Sequence, residues 1–224
     1  MRTVFITGAN RGLGLELVKI FLKNGWQVFA ACRNHADLRI TSDRLKVLEL
    51  EVANQKHISR LEGMLKDKPL DVLINNAGVY DNPSDGAPLF TDMKDITDVF
   101  IVNSIAPRLI AEALLESLRK GKEKLIVNIS SNQGVLSLAD KYHAEHWPYG
   151  GSKAALNWEM ATFSKVYPDI KSVLINPGWM KTRLGGNDAP LEPSESAASI
   201  YGLIESRKLA NGRHYDHRGK ITKL

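Results

Sequence analysis

The chain has 224 residues, 43% of them hydrophobic and 25% charged, with a formal net charge of +5. That length suits one domain with one sizeable core, and a single cysteine, Cys32, excludes an intrachain disulfide and a multi-cysteine zinc site. The mild positive excess suits an anionic ligand such as a phosphorylated cofactor, whereas the scattered basic residues lack the aromatic-interleaved stripe of a nucleic-acid binder.

Short apolar runs alternate with longer segments of helical period. Residues 4–7 read as a strand, and 12–24 as a helix with Leu13, Leu17, Ile20 and Phe21 on one face. Strands follow at 28–31 and 45–50, then a helix near 55–65 and a strand at 72–75. A long helix is expected over about 92–118, a strand at 125–129, and a helix over about 149–166. A strand at 173–175, a helix near 192–206 and a weak strand near His214 complete the pattern. The apolar run 4–6 is too short for a signal-peptide core or a membrane span, so a cytoplasmic protein with no membrane contact is expected.

Strands this apolar are buried on both faces, which implies a parallel sheet covered by helices. The alternation predicts an α/β fold: a doubly wound parallel sheet of about seven strands with helices on both faces. Ligands of such sheets bind beyond the carboxyl ends of the strands.

The stretch Thr7-Gly8-Ala9-Asn10-Arg11-Gly12-Leu13-Gly14 lies there, between the first strand and the first helix. Gly8 can make the tight turn, Gly12 lets backbone approach a pyrophosphate, and Gly14 lets the helix pack close to the strand. The helix N-terminus offers free N–H groups to the phosphates. At the end of the second strand, Cys32-Arg33-Asn34 contains no acid to bind a ribose 2′-hydroxyl. Arg33, with Arg11 reaching from the glycine loop, suits a 2′-phosphate instead, which points to NADP(H).

Tyr149 and Lys153 are four residues apart and share a helix face. A neighbouring ammonium favours phenolate, so the pair can give a proton to a developing alkoxide and take it back in the reverse direction. After the strand at 125–129, Ser131 can hydrogen-bond a substrate oxygen, with Ser130 as the competing residue. Asn103 precedes Pro107 by four. Proline has no N–H, so a kink is expected there, with the carbonyl of Asn103 turned to water as a relay toward Lys153.

Together these residues resemble the short-chain dehydrogenase/reductase family. The matching pieces are Thr7 to Gly14, Asn75-Asn76-Ala77-Gly78, Asn103, Ser131, Tyr149-x-x-x-Lys153 and Pro177-Gly178-x-x-x-Thr182, in the family's order over nearly the whole chain. Within the family, Asn10-Arg11-Gly12-Leu13-Gly14, Cys32-Arg33-Asn34 and Asn187-Asp188-Ala189-Pro190-Leu191 look most like small carbonyl reductases of the sniffer and C-factor type. The resemblance implies a Rossmann-like single dinucleotide-binding domain over 1–224, with a short substrate-covering segment at about 183–206. It favours Ser131 over Ser130, and gives Lys153 a second role on the nicotinamide ribose. It sets Asn76, Ala77 and Gly78 beside the cofactor, Glu51 and Val52 near the adenine, and Pro177, Gly178, Met180 and Thr182 over the nicotinamide. The implied reaction is NADPH-dependent reduction of a small-molecule carbonyl, with Asn103, Ser131, Tyr149 and Lys153 as the catalytic set; an NADP-binding signalling or redox-sensing protein is the alternative. Copies of relatives often pair through the helices at 92–118 and 149–166, so a dimer or tetramer is implied.

Two departures stand out: the link at 34–44 is short, so its helix should be rudimentary, and the separation from Ser131 to Tyr149 is longer than usual. Tyr80, Val135, Leu136, Trp147, Trp179 and Leu184 are the expected substrate-pocket residues, suiting an apolar or aromatic carbonyl of modest size. The pairs His143-x-x-His146 and His214-x-x-His217 have no evident third ligand, so no metal is expected.

Overall fold

The computed structural model describes residues 1–80, 92–142 and 144–224. Its centre is an eight-stranded sheet in the order β3-β2-β1-β4-β5-β6-β7-β8. The strands are β1 (Thr3–Thr7), β2 (Gln27–Cys32), β3 (Leu45–Glu49), β4 (Val72–Asn75), β5 (Leu125–Ile129), β6 (Lys171–Asn176), β7 (His214–Asp216) and β8 (Ile221–Thr222). All neighbours pair parallel except β7 and β8, which form an antiparallel edge. The sheet thus has one short strand beyond the seven expected.

The central strands are apolar because both faces are covered. Phe5, Leu73, Ile126 and Leu174 point to a layer holding α2 (Gln55–Leu65), α4 (Ala106–Ala113), α5 (Leu115–Lys120) and α6 (Trp147–Val166). Val4, Ile6, Ile74, Val127 and Val173 point to the opposite layer, with α1 (Gly12–Lys23) and α7 (Pro193–Ser206). Burying such aliphatic side chains contributes about 1.5–3 kcal/mol each. The chain leaves β1 for β2 and β3 on one side, then returns to β4 on the other side of β1. That reversal opens a crevice at the carboxyl ends of β1 and β4.

The expected helix over 92–118 is broken into α3 (Met93–Phe100), a wide π-turn at Ile101–Ile105, then α4 and α5. In the turn, the Ala106 N–H donates to the carbonyl of Ile101, five residues back. The missing N–H of Pro107 is the physical reason for the first break. The second falls at Leu114 (φ −99°, ψ 6°), with no Gly or Pro to announce it. Residues 34–44 hold only a 3₁₀ turn at His35–Asp37, in line with the short link.

A buried amide ladder crosses the sheet. Asn75 Nδ2 donates to Asn128 Oδ1 at 2.9 Å, and Asn128 Nδ2 donates to the carbonyl of Val173 at 3.0 Å. On β7, His214 is 1% exposed, and neither ring nitrogen has a hydrogen-bond partner among the described residues. Burial lowers its pKa to about 4, against a smaller opposing pull from Asp216. The unfolded chain takes up this proton near the ordinary histidine value, whereas the folded chain resists until about pH 4. Stability carried by neutral His214 is therefore complete above that ordinary value and is lost as pH falls below it. Urea unfolding should show a loss of about 2 kcal/mol between pH 7 and pH 5, largely removed in His214→Leu. An equal pH slope in the variant would assign the effect to other groups.

Candidate active site

A cleft of about 1190 Å³ runs along the carboxyl ends of the strands. Its floor on one side is the glycine loop. Gly8 (φ +64°) and Gly12 (φ +52°) hold left-handed backbone that favours glycine. A Cβ on Gly8 would lie 2.9 Å from the Cα of Ala77, and one on Gly14 would run into the carbonyl of Gly8. The loop is therefore folded tightly against both the chain after β4 and its own helix. Asn76 fixes it there, donating through Nδ2 to the carbonyls of Thr7 (2.9 Å) and Gly8 (3.2 Å). Thr7 Oγ1 returns the contact by accepting the N–H groups of Asn76 and Ala77. The α1 N-terminus has no side-chain cap, which leaves its first N–H groups open to an anionic ligand.

Arg11 and Arg33 are exposed at the rim. Arg33 Nε stands 3.7 Å from Glu51 Oε2, with the Arg33 side chain 67% exposed. Asn10 Nδ2 donates to Asp37 at 3.0 Å. Gly8, Asn10, Arg11, Gly12, Leu13, Gly14, Arg33, Glu51, Val52, Asn76, Ala77 and Gly78 all line the cleft. Asn34 does not: its Oδ1 accepts the N–H of Ala36 in the 3₁₀ turn instead.

The second half of the cleft holds Ser131, Tyr149 and Lys153. Pro148 occupies the first turn of α6, where its missing N–H costs nothing. The helix then buries Tyr149, Ser152, Lys153, Leu156, Asn157, Met160 and Phe163, spaced three and four apart along one face. Lys153 is 4% exposed, its Nζ donates to the carbonyl of Ile129 at 2.8 Å, and it lies 5.8 Å from the centroid of the Tyr149 ring. Burial lowers the Lys153 pKa to about 8, so the ammonium still dominates at neutral pH.

Ser131 is half-buried, and its Oγ accepts the N–H of Gln133 at 3.2 Å. An acceptor lone pair is thereby used and the hydroxyl hydrogen is left to donate. Ser130, the competing residue, is committed: its Oγ donates to Asn157 Oδ1 at 2.6 Å. Asn157 Nδ2 in turn donates to the carbonyl of Gly134 at 2.9 Å. Gly134 must be glycine, since a Cβ there would lie 2.8 Å from the nitrogen of Ala154. This close approach presses the serine turn onto α6 beside Lys153. Asn157 was not anticipated, although its position four after Lys153 places it on the same face.

Asn103 is fully buried and does not line the cleft. Its side chain contacts residues around the cleft instead. Its Oδ1 accepts the N–H of Val79 (2.9 Å), and its Nδ2 donates to the carbonyl of Val79 (2.8 Å) and to Ser152 Oγ (3.1 Å). Ser152 Oγ donates to the carbonyl of Tyr149 at 2.7 Å. A methyl group on Gly78 would sit 3.3 Å from Asn103 Oδ1 and 3.8 Å from Lys153 Nζ, which places these groups around one point. Val79 and Ser152 were not singled out; only the fold brings them to Asn103.

The far wall is the segment after β6. Pro177, Gly178, Met180 and Thr182 line the cleft, braced by the Lys181 N–H donating to the carbonyl of Leu191 at 2.9 Å. Of the expected pocket residues, Tyr80, Trp179 and Leu184 line the cleft. Val135 does not, because it is fully buried in the core, and Leu136 (85% exposed) and Trp147 (49%) face outward. His143 lies outside the described residues, and His146 packs on Tyr80 with ring centroids 5.0 Å apart. Among the described residues no helix is long and apolar enough to cross a membrane, and no cluster of three His, Cys, Asp or Glu could hold a metal.

Comparison with known proteins agrees with this geometry. The family model described as short chain dehydrogenase matches residues 2–192. The structure of the carbonyl reductase Sniffer of D. melanogaster superposes with a TM-score of 0.88 at 31% identity, over 100% of both chains. A short-chain dehydrogenase/reductase from Burkholderia multivorans, crystallised with bound NADP, gives 0.87 at 31% identity over 100% of this chain and 99% of the other. The C-signal protein of Myxococcus xanthus is 34% identical over 67% of this chain and 90% of its own length. The chain belongs to the short-chain dehydrogenase/reductase family.

Proposed function

We propose that the protein reduces a small-molecule carbonyl to an alcohol with NADPH, with Tyr149 as proton donor. The observation that carries this is the meeting of Ser131, Tyr149 and Lys153 in the same cleft as the glycine loop. In this reading residues 1–224 work as one dinucleotide-binding unit, and 183–206 cover the substrate.

The cradle fits the cofactor. A Cβ would fill the loop at Gly8 and Gly14, the α1 N-terminus is open, and Arg11 and Arg33 line the rim. Asn76, Ala77 and Gly78 would run beside it, Glu51 and Val52 would flank its adenine, and Pro177, Gly178, Met180 and Thr182 would cover its nicotinamide. When bound, NADPH supplies the hydride. The chain's own residues position and polarise. Ser131 donates to the substrate oxygen, and Tyr149 holds the same oxygen and gives it a proton. Lys153 keeps the phenol acidic and also holds the nicotinamide ribose. Asn103 is placed to support proton return through Ser152 and Val79, by its side chain as well as by the kinked backbone.

The outer faces of α4 and α6, where Leu109 and Trp158 are exposed, are where copies would pair into a dimer or tetramer. The proposed place of action is the cytoplasm, in keeping with Cys32 as a buried free thiol. Purified protein should consume NADPH with a member of a panel of aromatic aldehydes and diketones. Protein that binds NADPH yet turns over nothing across that panel would support the sensing alternative.

A further inference from the structure

Tyr80 is anchored at both ends. Its backbone follows Val79, whose N–H and carbonyl are both held by the Asn103 amide. Its ring lies 4.6 Å from that of Tyr149, tilted by 55°, and 5.0 Å from that of His146. Tyr80 also lines the cleft, together with Ser131, Tyr149, Trp179 and Leu184. Trp179 is fixed as well, its Nε1 donating to the carbonyl of Gly185 at 2.7 Å.

A carbonyl oxygen held by Ser131 and Tyr149 leaves its carbon's substituents to lie against what surrounds the phenol. Among the described residues, the aromatic ring packed on Tyr149 is that of Tyr80. Resting on the carbonyl reductase reading above, we infer that Tyr80 is a specificity-determining residue: its braced ring forms the wall for the larger substituent and selects carbonyls that carry a planar aromatic ring. Offset or edge contacts between rings favour such a substituent over a saturated one of equal carbon number. Because the ring is already held by His146 and by the Val79 backbone, little freedom is lost when a substrate meets it.

The test compares benzaldehyde with cyclohexanecarbaldehyde in wild type, Tyr80→Phe, Tyr80→Leu and Tyr80→Ala. The two aldehydes differ in intrinsic reactivity, so the change in their kcat/KM ratio is what matters. Tyr80→Phe keeps the ring and should hold the ratio within about twofold, whereas Tyr80→Leu and Tyr80→Ala should lower it about five- to tenfold. NADPH affinity, measured by fluorescence, should be unchanged and reports that each variant is folded. Calorimetric binding of benzyl alcohol and cyclohexylmethanol should shift in the same direction. Equal losses on both aldehydes would mean that Tyr80 only supports Tyr149, and would overturn the inference while leaving the reductase reading intact. Wild-type protein active on neither aldehyde, nor on any of the wider panel, would overturn the reductase reading itself.

Discussion

Tyr149→Phe should lower kcat/KM about a thousandfold while NADPH affinity stays within about twofold of wild type. The substitution removes one oxygen and keeps the ring that packs on Tyr80 at 4.6 Å. The bond from Lys153 Nζ goes to the carbonyl of Ile129, so it survives the change. What would be lost is the proposed proton donor and one of two proposed hydrogen bonds to the substrate oxygen, each acting as negative charge develops there. Steady-state rates and a fluorescence titration of NADPH separate these effects. A residual rate above a tenth of wild type would move the proton donor elsewhere. The same assignment carries a pH dependence. Lys153 is charged below about pH 8 because burial has lowered its pKa to that value. Reduction should therefore weaken as pH rises through about 8, where the cation beside the phenol is lost.

Arg33→Asp should weaken NADPH binding about thirtyfold or more and leave NADH within a few-fold, or improve it. Arg33 pairs with Glu51 only at 3.7 Å, and its side chain is 67% exposed. Such a surface pair contributes little, about 0–1 kcal/mol, so the guanidinium is available to a doubly charged 2′-phosphate. Aspartate reverses that attraction and offers an acceptor to a ribose 2′-hydroxyl instead. Dissociation constants for both nucleotides, measured at one ionic strength, decide the point. Equal weakening of NADPH and NADH would remove Arg33 from the 2′-phosphate site.

Much of this was legible in the residues themselves. Strands buried on both faces have to be nearly all apolar, so 72–75 and 125–129 announced β4 and β5. The glycine loop was legible because Gly8 and Gly12 occupy left-handed backbone and Gly14 touches the carbonyl of Gly8. Pro107 marked a break because a missing N–H is a local fact. What the broken turn does was not local. The Asn103 side chain closes on Val79, far away in sequence, and clamps that backbone through its amide. Ser130 and Ser131 are chemically identical neighbours that the family pattern separated in the sequence, and the bond from Ser130 to Asn157 separates them in space. Val135 was expected in the pocket and lies in the core because hydrophobicity does not say which wall a residue joins. The cluster of His146, Tyr80 and Tyr149 brings the chain after β4 against the start of α6, and no spacing rule connects those two segments.

In the proposed reaction, hydride passes from NADPH to a carbonyl carbon in this cleft. NADPH carrying deuterium at the transferable C4 position, incubated with wild-type protein and an aromatic aldehyde, tests it most directly by mass spectrometry of the alcohol. One deuterium gained per alcohol, with alcohol formed about a thousandfold more slowly by Tyr149→Phe, is the expected result. Tight NADPH binding with no deuterated alcohol from any carbonyl of the panel would contradict it.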